Sequence, residues 1–137
     1  MNFTQVADRF AVAPQLRPEE LQAVADAGFD TIICNRPDAE EPGQPPAGTM
    51  REAAQAAGLC FHHIPVSGGE FPPSAVAAFA EACEQAEGRV LAYGRTGTRS
   101  ITLHALANTE ELSADERIGR AQRAGYDLSS MRGRLGE

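Results

Sequence analysis

The chain has 137 residues, 42% hydrophobic and 23% charged, enough for a single domain over 1–137 whose core needs neither disulfide nor metal staples. A formal net charge of −7 excludes general affinity for nucleic acid or anionic membrane surfaces, although a local cationic pocket can persist in an acidic protein. Cys34, Cys60 and Cys83 lie far apart without C-x-x-C spacing, no basic n-region opens the chain and no window reaches membrane-spanning length, which together point to a reducing, cytoplasmic setting.

Residues 10–13, Phe-Ala-Val-Ala, make a short apolar run. Pro18 then supplies a rigid first position for a helix over 19–27, with Glu19 and Glu20 near its positive end and Gly28 closing it. Residues 29–34 carry the β-branched side chains of a buried strand. Residues 35–48, with prolines at 37, 42, 45 and 46, are loop chemistry, and a loop of that length is more often functional than idle. An alanine-rich helix over 50–57 ends at Gly58, and the next strand covers 59–66. A second loop covers 67–73, after which Ser74 can cap a helix bearing Val76, Phe79 and Cys83. Gly88 releases the chain into a strand over 89–93, and a helix after Arg99 carries Ile101, Leu103 and Leu106. Ser113-Ala114-Asp115-Glu116 has the form of a capping box and opens a further helix ending near Gly125. Tyr126, Asp127 and Leu128 are expected to pack back, leaving 132–137 loose.

Strands alternate with helices and are mostly apolar on both sides. The expected fold class is therefore α/β, a three-layer arrangement with a mostly parallel sheet of four to five strands flanked by helices. Ligands in such sheets bind at the carboxyl ends of the strands, where the loops at Asn35, Ser67 and Gly94 converge.

The loop entering the helix after residue 93 carries the chemistry. Thr98, Arg99 and Ser100 start that helix, so their free amides and the positive end of its dipole point into the loop. Gly97 permits a positive φ and close approach of an anion, and Arg99 offers a planar fork for two oxygens of a phosphate, sulfate or thiosulfonate. Arg95, Thr96, Gly97, Thr98, Arg99 and Ser100 are accordingly the candidate anion-binding residues. Glycine-rich turns at helix starts also serve packing alone, and the Walker signature is absent.

The segment 91–100, with Asn35-Arg36-Pro37-Asp38, Glu41-Pro42, Gln44-Pro45, His63-Ile64-Pro65-Val66 and Ala124-Gly125-Tyr126-Asp127-Leu128, resembles the bacterial beta-lactamase hydrolase-like family. The resemblance implies a dual-specificity-phosphatase type of fold and a phosphatase-like or sulfur-transferase activity. It also implies a metallo-beta-lactamase-type partner and no cofactor. In that family the loop reads Cys-Arg-Ser-Gly-Thr-Arg, with the cysteine as nucleophile and the last arginine as oxyanion clamp. Arg99 matches the clamp, Thr96 stands for serine, and Gly94 occupies the nucleophile's position; His104 stands where tryptophan is usual. Both activities pass through a cysteine thiolate, so the resemblance implies that the chain is catalytically impaired. An engineered inactivation and a natural pseudoenzyme both account for Gly94, glycine rather than serine or alanine favouring the second.

Four residues separate positions 94 and 99, one fewer than in protein tyrosine phosphatases, which is similar to rhodanese-like sulfurtransferases and weighs toward sulfur chemistry. A phosphatase would also need a general acid. Glu70 is the candidate, against its reading as a solvated loop residue; Asp38 and Glu41 rank below it. Arg36 either lines the pocket or pairs with Asp38 or Glu40, and Cys34 is read as a core thiol rather than a surrogate nucleophile. His62 and His63 point to opposite faces of a strand, so no metal site is expected. The expected ligand is a small tetrahedral anion or a phosphorylated or sulfur-donor substrate.

Overall fold

The computed structural model describes residues 1–136. Its strands are β1 (Thr4–Ala7), β2 (Phe10–Ala13), β3 (Phe29–Cys34), β4 (Cys60–His63) and β5 (Arg89–Tyr93). They form a five-stranded sheet in the order β1-β2-β5-β3-β4, parallel throughout except for the antiparallel edge pair β1-β2. The helices are α1 (Leu21–Asp26), α2 (Ala47–Ala56), α3 (Pro73–Gln85), α4 (Thr98–Ala107), α5 (Ala114–Arg123) and the short α6 (Arg132–Leu135).

Alternation along the central strands divides the interior into two layers. Phe10, Val12, Ile33, Val90 and Ala92 pack with α3, α4 and the C-terminal helices, whereas Ala11, Ala13, Ile32, Cys34, Leu91 and Tyr93 pack with α1 and α2. The expected three-layer α/β arrangement is the one observed.

Several boundaries differ from the sequence reading, each for a physical reason. The 10–13 run gains a partner strand, β1, whose exposed polar residues give no burial signal. Pro18–Glu20 is a single 3-10 turn ahead of α1, locked by the Arg17 amide donating to Glu20 Oε1 at 2.8 Å. Helix α2 starts at Ala47 because Asp38 Oδ1 accepts its amide at 2.8 Å, so Gly48 is helical rather than loop. The strand expected over 59–66 is confined to β4, since Pro65 has no amide to donate. Ile64 and Val66 still donate to the carbonyls of Cys34 and Asn35, at 2.9 and 3.2 Å. Helix α3 begins at Pro73, its own first residue, and Ser74 sits inside the first turn without capping it. Ser113 does cap α5, its Oγ accepting the Glu116 amide at 3.1 Å.

The segment expected to be loose is docked instead. Leu135 is buried, and the buried Arg117 guanidinium donates to the carbonyls of Ala105 and Leu135 at 2.7 and 2.6 Å. Glu137 lies outside the described residues.

Candidate anion-binding site

Three strand exits meet at one rim and are joined by one residue. The Asn35 amide donates to Tyr93 O at 2.9 Å, its Nδ2 donates to Ile64 O at 2.9 Å, and its Oδ1 accepts the Ser100 hydroxyl at 2.8 Å. Asn35 and Ser100 are fully buried, so the ends of β3, β4 and β5 and the first turn of α4 are fixed relative to one another. The Ser100 hydroxyl is therefore committed to this latch, and only its amide remains for the loop.

From Tyr93 the chain passes through Gly94 and turns at Gly97, whose φ of 95° is in the left-handed region, to start α4 at Thr98. Gly94 donates to Ala13 O at 3.4 Å, but among the described residues the amides of Arg95, Thr96, Gly97, Thr98, Arg99 and Ser100 donate to no protein acceptor. The Thr96 and Thr98 hydroxyls meet at 3.1 Å, and Tyr126, returning from α5, donates to Thr96 O at 2.8 Å. Gly97 has no room for a side chain, since a Cβ there would lie 2.5 Å from the Tyr126 hydroxyl oxygen. A Cβ on Gly94 meets nothing within 4 Å, and its φ lies outside the left-handed region.

Arg99 is held in a charged cluster. Its Nη1 donates to Glu40 Oε2 and to Val66 O, and its Nη2 to Glu40 Oε1, each at 2.9 Å. Glu40 Oε1 also accepts from Arg36 Nε at 2.8 Å. Arg36, only 2% exposed, further donates to Glu41 at 2.5 Å and to Gln15 Oε1 at 3.0 Å. The bonds from Arg99 above all hold the Glu40 carboxyl below its ordinary range, against the burial that opposes ionisation.

Arg36 thus pairs with Glu40, joined by Glu41, rather than with Asp38, and it also borders a cleft at this rim. The carboxylate touching Arg99 is Glu40 on the proline-rich loop, which the sequence reading did not place in the site. Glu70 is exposed on the turn after Val66, and its side chain makes no ion pair among the described residues. Asp38 serves α2 as described. Arg95 projects from the loop toward a cleft of about 460 Å³ that also borders Gln15, Arg17, Arg36 and Gln44.

The thiol of Cys34 is buried and contacts Arg36 O at 3.5 Å; burial raises its pKa, which does not suit a nucleophile. His63 Nε2 lies 2.9 Å from Arg36 O. Among the described residues no cluster of three His, Cys, Asp or Glu side chains is arranged to hold a metal ion, and no helix is long and apolar enough to cross a membrane. His104, on α4 behind the loop, stacks on Phe10 with ring centroids 3.8 Å apart and planes 4° from parallel.

A sheet of this order, with a glycine turn feeding a helix that carries the loop arginine, defines a phosphatase-like α/β domain. The chain belongs to the family described as beta-lactamase hydrolase-like protein, phosphatase-like domain, whose model matches residues 2–111. It is 36% identical over 121 residues to a beta-lactamase hydrolase-like protein of Agrobacterium fabrum, covering 88% of this chain and 27% of that one. A protein of the same description from Xylella fastidiosa is 33% identical over 130 residues, covering 93% of this chain and 30% of that one. The chain therefore spans less than a third of the length of these curated relatives.

Among solved structures, a crystal structure from Neisseria meningitidis described as a candidate phosphatase superposes with a TM-score of 0.84 at 38% identity, covering 97% of this chain and 95% of that one. The active form of Tk-PTP gives a TM-score of 0.76 at 19% identity, covering 97% and 92%, a likeness of fold alone.

Proposed function

We propose that the 94–99 loop binds a tetrahedral oxyanion, as phosphate, sulfate or a thiosulfate-like group, and that this chain is crippled in turnover because position 94 carries no nucleophile. The run of unpartnered amides from Arg95 to Ser100 is the observation that carries the reading. Gly97 and Ser100 are buried, where backbone donors without acceptors are costly, and an anion is the ligand that would satisfy several of the run at once. The arginine beside them, fixed by Glu40 and Val66 O, adds a charged donor at the same helix start.

The family and its phosphatase neighbours favour a phosphorylated ligand. The short spacing from 94 to 99 favours a sulfur-donor substrate, and the same cradle without turnover would serve as a phospho-ligand or partner-binding module. Glycine at 94 leaves no atom to form a cysteinyl-phosphate or a persulfide, and losing a covalent nucleophile removes orders of magnitude in rate.

Replacing Gly94 with cysteine separates these readings. Hydrolysis of an aryl phosphate by Gly94→Cys supports a phosphatase, transfer from thiosulfate to cyanide supports a sulfurtransferase, and neither leaves the binding module. Calorimetric titration with inorganic phosphate tests the cradle itself: the unsubstituted chain is expected to bind and Arg99→Ala to lose binding. Identical isotherms for the two proteins would sink the anion reading.

A further inference from the structure

The hydroxyl of Tyr126 donates to Thr96 O at 2.8 Å, and the residue sits outside the 2–111 segment that the family model matches. It reaches the loop because the chain turns back after α5: the Tyr126 amide donates to Ala121 O at 2.9 Å, and Leu128 is buried two residues on. Every peptide bond described is trans. In a trans peptide the carbonyl and the following amide point in opposite directions, so a bond that holds Thr96 O toward Tyr126 turns the Gly97 N–H away from it. That amide has no acceptor among the described residues. The Gly97 φ of 95° is one that only glycine adopts freely, and the tyrosine oxygen stands where a side chain at 97 would be.

We infer that Tyr126 is a positioning residue for the anion cradle: by holding the Thr96–Gly97 peptide in one orientation, it aims the Gly97 amide at the bound oxyanion. The inference rests on the cradle reading above and adds to it a contribution from the C-terminal segment. Without the hydroxyl, this peptide can flip about its neighbouring dihedrals, presenting a carbonyl oxygen to the anion for part of the time. The loss falls on one donor of the cradle, not on Arg99 or the helix start.

Inorganic phosphate is the probe, titrated into the ¹⁵N-labelled unsubstituted chain, Tyr126→Phe and Arg99→Ala, with affinity read calorimetrically and each loop amide followed by NMR. The expected result is binding about five- to ten-fold weaker in Tyr126→Phe, as for one lost hydrogen bond. The phosphate-induced shift of the Gly97 amide should shrink while those of Thr98 and Ser100 persist, with little change in melting temperature. Equal affinity and an unchanged Gly97 shift in Tyr126→Phe would overturn the inference. So would a uniform loss at every loop amide with a lowered melting temperature, since that marks a purely structural role. If the unsubstituted chain gives no phosphate response, the cradle reading falls and this inference with it; if only Arg99→Ala loses binding, the cradle stands and Tyr126 has no part in it.

Discussion

Glu40 occupies the outer fork of Arg99, its two carboxylate oxygens each 2.9 Å from a guanidinium nitrogen. Because Arg36 binds the same carboxylate and also Glu41, the four-residue cluster is formally neutral. The arginine is thereby aimed, but its charge is already matched when an anion arrives.

Neutralising Glu40 should strengthen anion binding. Glu40→Gln leaves one net positive charge beside the loop, worth about 1 kcal/mol at the dielectric of a half-exposed site, or roughly a five-fold gain in phosphate affinity at low salt. The gain should shrink by 0.5 M sodium chloride. Weaker binding at every salt concentration would show that Glu40 matters as an anchor rather than as a competing charge. Stability should fall in the same variant, because Arg36 is buried and loses a charged partner.

Substitutions at the two loop glycines should separate cleanly. Gly94→Ala is expected to leave the unfolding free energy within about 0.5 kcal/mol of that of the unsubstituted chain, as for an unstrained site. Gly97→Ala meets the Tyr126 oxygen and a left-handed φ, and should cost about 2–3 kcal/mol. Equal losses in a urea titration of the two variants would contradict the geometry.

A cysteine placed at 94 should ionise early. Unpartnered amides, a helix start and Arg99 all favour a thiolate, so its pKa should lie at least about one unit below the free-cysteine value near 8.5. The pH dependence of alkylation in Gly94→Cys, with the unsubstituted chain as background for Cys34, Cys60 and Cys83, reads this directly. An ordinary or raised value would mean that the loop's electrostatic field is not what the amides imply.

Acid should weaken the fold in two separable windows. Burial pushes His104 down to about 4 from its ordinary 6.5, with Glu110 and Arg120 as its nearest charges. Between those values the unfolded chain holds the extra proton, so stability falls as the pH drops through that range, by at most about 3.5 kcal/mol. Glu40 acts lower: its carboxyl is depressed from 4.5, so its contribution is present above that value and is lost as the pH falls through the depressed one. His104→Trp should flatten the upper window in urea titrations, and the larger ring can fill the cleft of about 280 Å³ bordered by Phe10, Cys83, Val90 and position 104. An unchanged slope between pH 6.5 and 4.5 would assign the sensitivity elsewhere.

What was legible in the sequence is what is local. The β3 and β5 strands announce themselves through β-branched and apolar residues, and the 94–99 loop can be read from a strand, two glycines and a helix start within a dozen positions. Features set by distant partners were not. The start of α2 depends on an Asp38 side chain nine residues upstream, and the Arg99–Glu40 pair spans 59 residues. The docking of α6 depends on Arg117 reaching Leu135, 18 residues away, so a polar, arginine-rich segment reads as loose although it is tied. At Ser74 two signals competed, and the preset φ of Pro73 decided where the helix begins.

The open space around Gly94 separates heredity of the fold from heredity of the chemistry. No neighbour lies within 4 Å of where a side chain would begin, and the backbone there is of a kind any residue adopts. The scaffold therefore sets no steric barrier to the first carbon of a side chain at that position, which is where a cysteine would begin. Only a demand for turnover could keep a thiol in place, so lineages sharing this scaffold can gain or shed an attacking atom without rebuilding anything around it.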